Sequence, residues 1–159
     1  MEAKARRDAL RKLSNGVYVL TARAGERLGA ATVTWVSQAS FKPPLLVAAV
    51  RRQSKVFTCL AESGVAALHV VALDQLALAR NFFATTDAGD GTINGEPFAD
   101  GSTRAPVLRN PPAHLECDVD RIVDIGGDHA LVVLRVVDAR CEGPFRPLTM
   151  ADAPWEYGG

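Results

Sequence analysis

Thr32-Val33-Thr34-Trp35-Val36-Ser37-Gln38-Ala39-Ser40-Phe41-Lys42-Pro43-Pro44 is the stretch on which the reading of this chain turns. Side chains alternate faces along a strand, so Thr32 and Thr34 share one face. The strand expected over Leu28–Ser37 then runs into an irregular Ser-Gln-Ala-Ser segment, which frees backbone N–H and C=O groups for a ligand. Lys42-Pro43-Pro44 must be irregular, since proline cannot donate to a ladder. Such a rim suits a flat, heteroatom-edged ring better than a charged polymer. Thr is also an ordinary strand former and Ser an ordinary loop former, so residue types alone leave both readings open.

Upstream, Glu2–Leu13 is rich in Ala, Arg and Lys and reads as a surface helix, with Leu10 and Leu13 expected to face inward. Ser14-Asn15-Gly16 stops it. The period then changes to two, and Val17–Ala22 reads as a strand with a turn over Arg23–Arg27. Downstream, the apolar run Leu45–Val50 fits a strand buried on both faces. Ser54 is placed to cap a helix that Gly64 ends. Val65–Val71 is another strand, and Asp74 is a candidate cap for a helix carrying Leu76, Ala79 and Phe83.

Residues 84–112 hold four glycines and four prolines and read as a long loop. His114–Ile125 and Ala130–Val137 read as two long strands joined by the hairpin Gly126-Gly127-Asp128-His129. The segment 139–159 is a tail without clear periodicity. About six strands with two or three short helices fit a β-barrel with helical caps, and the short connections disfavour a parallel βαβ sheet. The 159 residues suit one domain, taken as 1–159 with a helix over 1–15.

Eighteen basic and eighteen acidic residues give zero formal charge, which argues against nucleic acid as the main partner. No run is long and apolar enough for a membrane span or a signal peptide. Cys59, Cys117 and Cys141 are odd in number and widely spaced, so neither a disulfide framework nor a zinc knuckle is expected. The expected setting is a reducing cytoplasm. Nucleophile-elbow, zincin and Walker patterns are absent, and the three histidines form no local metal pattern, so no metal is expected. His69 and His114 lie in strand patterns and read as structural, and Cys117 as a small strand residue. On residue type alone His129 reads as an exposed turn histidine.

The Thr32–Pro44 stretch resembles the signature of the flavin reductase-like family, the FMN-binding split barrels. The resemblance extends through Ser54, Glu62-Ser63-Gly64, Leu78-Ala79, Phe82-Phe83, Ala105–Leu108, His114–Cys117 and Gly127-Asp128-His129. It covers Gly16 to about Tyr157, and the 35–41 wording is similar to the branch also found fused to flavodiiron proteins. It implies a mainly β, dimeric split barrel with an FMN site at its edge. Thr32, Val33, Thr34 and Trp35 would meet the ribityl chain and ring, Gln38, Ala39 and Ser40 the isoalloxazine edge, and Phe83 the ring face. Arg51 and Ser54 would hold the phosphate, a role that a cation beside a helix N-terminus suits. His129 would position the nicotinamide of NADH or NADPH, and Tyr157 would join it at the substrate.

The resemblance therefore implies an NAD(P)H-dependent FMN reductase that hands reduced flavin to a monooxygenase or another acceptor. Three alternatives stay open: an enzyme with tightly held FMN reducing a small organic acceptor, a flavin carrier or sensor without turnover, and a relative of pyridoxamine-phosphate oxidases, since fold does not fix function. Trp35 departs from the family, where many relatives have Ser or Asn. The 84–112 segment lacks the usual Arg-Phe pair. The aromatics Trp155 and Tyr157 would either cover the flavin or nicotinamide, or seal the barrel.

Overall fold

A computed structural model describes residues 1–159. In chain order come α1 (Ala3–Leu10), β1 (Tyr18–Ala24), β2 (Arg27–Val33), β3 (Val36–Ser40), β4 (Leu45–Arg51), α2 (Lys55–Ser63), β5 (Val65–Val70) and α3 (Leu76–Asn81). The short β6 (Ala88–Gly89), β7 (Thr92–Ile93), β8 (Glu96–Asp100) and β9 (Pro106–Leu108) follow, then β10 (Ala113–Val123) and β11 (His129–Cys141).

Seven strands form one antiparallel sheet in the order β2-β1-β5-β10-β11-β4-β3. Its two edge strands, β2 and β3, are neighbours in sequence, separated only by Thr34 and Trp35. In a flat sheet those edges would stand about 29 Å apart, six strand spacings. The chain from Val33 to Val36 reaches at most about 11 Å. The sheet must therefore curl until its edges nearly meet. No ladder joins β2 to β3, so the curl remains split along one seam. The chain is mainly β with a few short helices, and the barrel is not closed by hydrogen bonds.

Two apolar clusters fill and wrap the curl. Leu20, Val33, Leu46, Val50, Leu68 and Val132 pack inside it with Val56 and Leu60 of α2. Val17, Val19, Val71, Phe82, Ile93 and Leu148 form the second, on the outer side of β1 under α3 and the small sheet. Strand β1 is thus buried on both faces, including the Thr21 hydroxyl, which bonds to Pro106 O, so the strand expected over Val17–Ala22 is present but is not buried in the expected period of two.

Several expectations need correction. The strand expected over Leu28–Ser37 is two strands, because Thr34-Trp35 carries the chain from one edge of the sheet to the other. The run Leu45–Val50 is buried on one face only: Leu46, Ala48 and Val50 point inward, while Leu45, Val47 and Ala49 stay half-exposed. Leu10 and Leu13 face solvent, and α1 buries no residue, since its charges leave no apolar stripe wide enough to dock. Asp74 is not a cap: Gln75 holds the cap position of α3 with no side-chain cap bond, its Oε1 accepting instead from Ala72 N at 3.0 Å. The 84–112 stretch is not an unstructured loop but a four-stranded sheet, β6-β7-β8-β9, whose strands are too short to show periodicity. No helix is long and apolar enough to cross a membrane.

His69 ties the main sheet to this small one. Leu108 N donates to its Nε2 at 2.9 Å, so Nδ1 carries the proton and donates to Val19 O at 3.0 Å. Burial of the ring pushes its pKa down to about 4, against a weaker upward pull from the Val19 carbonyl. The unfolded chain binds this proton near the ordinary value and the folded chain does not, so stability is full above about pH 6.5 and declines as pH falls toward 4. Urea unfolding is expected to show a loss of about 2 kcal/mol between about pH 7 and about pH 5. A flat profile across that window would contradict the assignment.

Candidate functional site

The seam between β2 and β3 opens onto a cavity of about 650 Å³. Its floor is the outgoing half of β2, its far end the N-terminus of α2, and its cover Phe82-Phe83 and the segment 150–157. Local sequence explains each wall. Ser54 caps α2 by accepting from Phe57 N at 3.2 Å, and its hydroxyl donates to Arg51 O at 2.7 Å. Gly64 ends the helix at a left-handed φ of 75°. Gly29 lets β2 lie against the first turn of α2, because a Cβ there would stand 2.5 Å from Val56 Cα and 2.6 Å from Val56 N.

At the α2 end the cavity is lined by Arg51, Gln53, Ser54 and Lys55. The leading N–H groups of a helix have no intrahelical acceptor and carry the positive end of its dipole. Arg51 closes β4 without forming any ion pair, whereas its neighbour Arg52 is paired with Asp124. An anion at this end would meet a helix N-terminus and an uncommitted guanidinium together.

The middle holds Thr32 and Thr34. Thr32 spends its hydroxyl on Ala79 O at 2.6 Å, tying β2 to α3, and its N–H donates to Phe82 O at 3.3 Å. Thr34 is only 8% exposed and its Oγ1 has no partner. A buried hydroxyl without a partner costs free energy unless something supplies one. Thr34 also lines a recess of about 50 Å³ that leads from the cavity past Trp35 to His129 and Tyr157.

At that far corner His129 opens β11 opposite Arg51 on β4. Its Nδ1 lies 2.6 Å from Asp128 Oδ1, and a carboxylate can only accept, so Nδ1 carries the proton. Nε2 then accepts from the Tyr157 hydroxyl at 3.1 Å. The hydrogen bond from His129 holds the Asp128 carboxyl below its usual range. Trp35 leans on both rings, its centroid 4.9 Å from His129 and 5.2 Å from Tyr157. Trp155 meets the edge of Phe83 at 4.8 Å. His129 is thus a buried, doubly hydrogen-bonded histidine, where residue type alone suggested an exposed turn.

Of the expected site residues, Thr32, Thr34, Arg51, Ser54, Phe83 and Tyr157 line the main cavity, and Val33, Trp35 and His129 the recess beside it. Val33 turns its side chain into the core and offers only backbone. Gln38, Ala39 and Ser40 lie on β3 outside both spaces, on the sheet's exposed edge. Unforeseen members are Gln53, Lys55, Thr86 and Met150. The first two flank the Ser54 cap and were findable from it. Thr86 bonds the edge strand β2 at Ala30, from inside a stretch without periodicity.

The architecture is a split antiparallel curl with a cavity beside its seam, a helix N-terminus and Arg51 at one end and a hydrogen-bonded histidine at the other. The chain belongs to the family described as flavin reductase like domain, whose model matches residues 10–154. It is 29% identical over 133 residues to Diflavin flavoprotein A 1 of Synechocystis sp., covering 83% of this chain but only 23% of that protein. FMN reductase (NADH) RutF of Pseudomonas syringae is 28% identical over 134 residues, covering 84% of this chain and 74% of that one. Among solved structures, a flavin reductase domain protein from Arthrobacter sp. superposes with a TM-score of 0.82 at 22% identity, covering 99% of each chain.

Gly29→Ala is expected to force α2 off β2, because the new methyl meets backbone that cannot rotate away. A loss of about 1–3 kcal/mol in urea unfolding is expected, the usual range for overpacking. Unchanged stability would show that the close approach does not constrain α2.

Proposed function

We propose that the chain is an NAD(P)H-dependent flavin reductase that binds FMN in the seam cavity. The observation that carries this is the partnerless, buried Thr34 hydroxyl, which lines both the cavity that holds Arg51 and Ser54 and the recess that reaches His129. The residues fit the group: Arg51, Ser54 and the first turn of α2 would hold a phosphate, Thr34 and the backbone of Thr32–Trp35 would meet ribityl and ring heteroatoms, and Phe83 would cover an apolar part of the ring. A bound flavin would supply the redox chemistry, accepting a hydride at N5 from nicotinamide C4. The chain supplies position and a dry, stacked geometry. His129 orients the nicotinamide carboxamide, with Asp128 fixing which ring nitrogen faces it, and Trp35 holds the imidazole plane. Gln38, Ala39 and Ser40 would reach the isoalloxazine edge from β3.

A second copy of the chain belongs to this reading. The outer face of the sheet presents Leu45, Val47 and Ala49 of β4, with Leu131 and Val133 opposite Ala49 and Val47, all half-exposed. Phe41, 87% exposed, stands beside them at the exit of β3. A homodimer through this face would cover the apolar stripe and adjoin β3. A reducing cytoplasm suits three free cysteines. Reduced flavin would pass to a monooxygenase or another acceptor, and retention of FMN as a fixed group serving a small organic acceptor is the second reading.

Purified protein is expected to oxidise NADH or NADPH only when FMN is present, and failure with both nucleotides would remove the proposal. Thr34→Ala and Ser54→Ala are each expected to weaken FMN binding by about 1 kcal/mol, a factor of about five, in a flavin fluorescence titration. Unchanged affinity in both variants would overturn the site map. His129→Ala is expected to raise the nicotinamide KM more than it alters flavin affinity. Val133→Glu is expected to shift the sedimenting species from dimer to monomer, and a monomeric parent would remove the dimer.

A further inference from the structure

The segment Trp155–Gly158 forms a thin partition. On one side lies the 650 Å³ seam cavity and on the other a second cavity of about 630 Å³, and Met150, Trp155, Glu156 and Tyr157 line both. Trp155 anchors the wall by packing on the core cluster beneath α3 and against Phe83, whereas Glu156 and Tyr157 beyond it are exposed and held by a few contacts. Those contacts are specific. The Arg11 guanidinium grips Glu156 at 2.6 Å and the Gly158 carbonyl at 3.0 Å. Gly159 lies against the Arg7 backbone, and Gly158, at a φ of 91° that favours glycine, sits so close to the Trp35 ring that a Cβ would stand 3.2 Å from it. The Arg11 side chain makes the only hydrogen bonds that side chains of residues 1–13 form with the rest of the chain, the Asn15 amide donating to the Leu13 carbonyl besides, and α1 buries none of its own residues. The helix is fastened to the protein through this strap.

The strap's tip is chemically placed. Tyr157 occupies the one open nitrogen of His129, the atom left over once Asp128 has taken Nδ1. Its ring also leans on Trp35, so the pocket corner beside His129 is filled by an aromatic ring with a hydrogen-bonding group. That is the shape and chemistry of a nicotinamide. The Arg11–Glu156 pair is partly exposed, at 33% and 74% of the two side chains, and ion pairs of that kind hold weakly.

We infer that Trp155–Gly158 is an Arg11-latched strap whose Tyr157 ring occupies the nicotinamide's place on His129, so that the dinucleotide enters only by displacing it. The inference rests on the reductase reading above. The strap closes over the flavin in the absence of dinucleotide, and swings into the second cavity when the nicotinamide takes its place.

Both tryptophans of the chain, Trp35 and Trp155, sit at the strap, so intrinsic fluorescence reports its position without turnover. The test compares wild type with Arg11→Ala, and with Lys4→Ala, which breaks an ion pair internal to α1 and leaves the latch. Arg11→Ala is expected to raise acrylamide quenching of the flavin-free protein about twofold. It is expected to lower the NADH KM about threefold or more with FMN affinity unchanged, since an open state that was the minor one becomes the major one. Lys4→Ala is expected to change neither. Unchanged quenching in Arg11→Ala would overturn the latch, and raised quenching with an unchanged KM would overturn the competition for His129. A wild type inactive with both NADH and NADPH defeats the reductase reading and the gating role with it, while the quenching comparison still decides whether Arg11 holds the strap.

Discussion

Two residues, Thr34 and Trp35, carry the chain between opposite edges of a seven-stranded sheet, and the rest of the structure follows from how little distance two residues can span. The curl that brings β2 and β3 together encloses the inner core. The edges meet without pairing: Ala30 N and Thr32 N of β2 bond instead to the Thr86 hydroxyl and the Phe82 carbonyl, and the buried Thr34 hydroxyl at the seam has no partner. A split of this kind is a cost in folding, since buried polar groups want partners. It is also a preformed cleft whose unmet hydrogen-bonding needs can be met by a heteroatom-rich ring.

Around the seam, each neighbouring element is held by a short-range constraint. Gly29 lets α2 approach β2, Ser54 caps the helix end that lines the cavity, and the Arg51–His129 register of β4 and β11 sets the guanidinium and the imidazole on adjacent strands. The Thr32 hydroxyl ties the floor to α3 through Ala79, and the Thr86 hydroxyl serves the free edge of β2 at Ala30. Away from the site, Glu116 does comparable work. Burial pushes its carboxyl up, but hydrogen bonds from Thr103 and Ser102 outweigh this and leave it below the usual range, pinning the 101–103 turn to β10.

The fold was legible where a strand's environment leaves a periodic mark. Val17–Ala22, Val65–Val71 and the long hairpin around Gly126–His129 are read from the residues because β-branched and apolar side chains fill the curl. The break at Thr34-Trp35 was not, since hydroxyl and aromatic residues suit a continuous strand as well as a corner, and only the sheet order reveals that one must be there. The small sheet within 84–112 has strands of two to five residues, too short for alternation to register. At the site, Ser54 was found by its capping chemistry, but Thr34 stood out from Thr32 only once its oxygen proved to be without a partner. The role of Asp128 in fixing the His129 tautomer, and the Tyr157 contact across 28 residues, depend on tertiary placement.

The account stands on the seam being a seat where a flavin meets a nicotinamide. Its most direct test is anaerobic mixing of FMN-loaded protein with NADH while the flavin's visible absorption is followed. Bleaching of one flavin per nucleotide consumed, on the timescale of turnover, is the result expected. A flavin that binds in the cavity and stays oxidised under NADH and NADPH alike would contradict it.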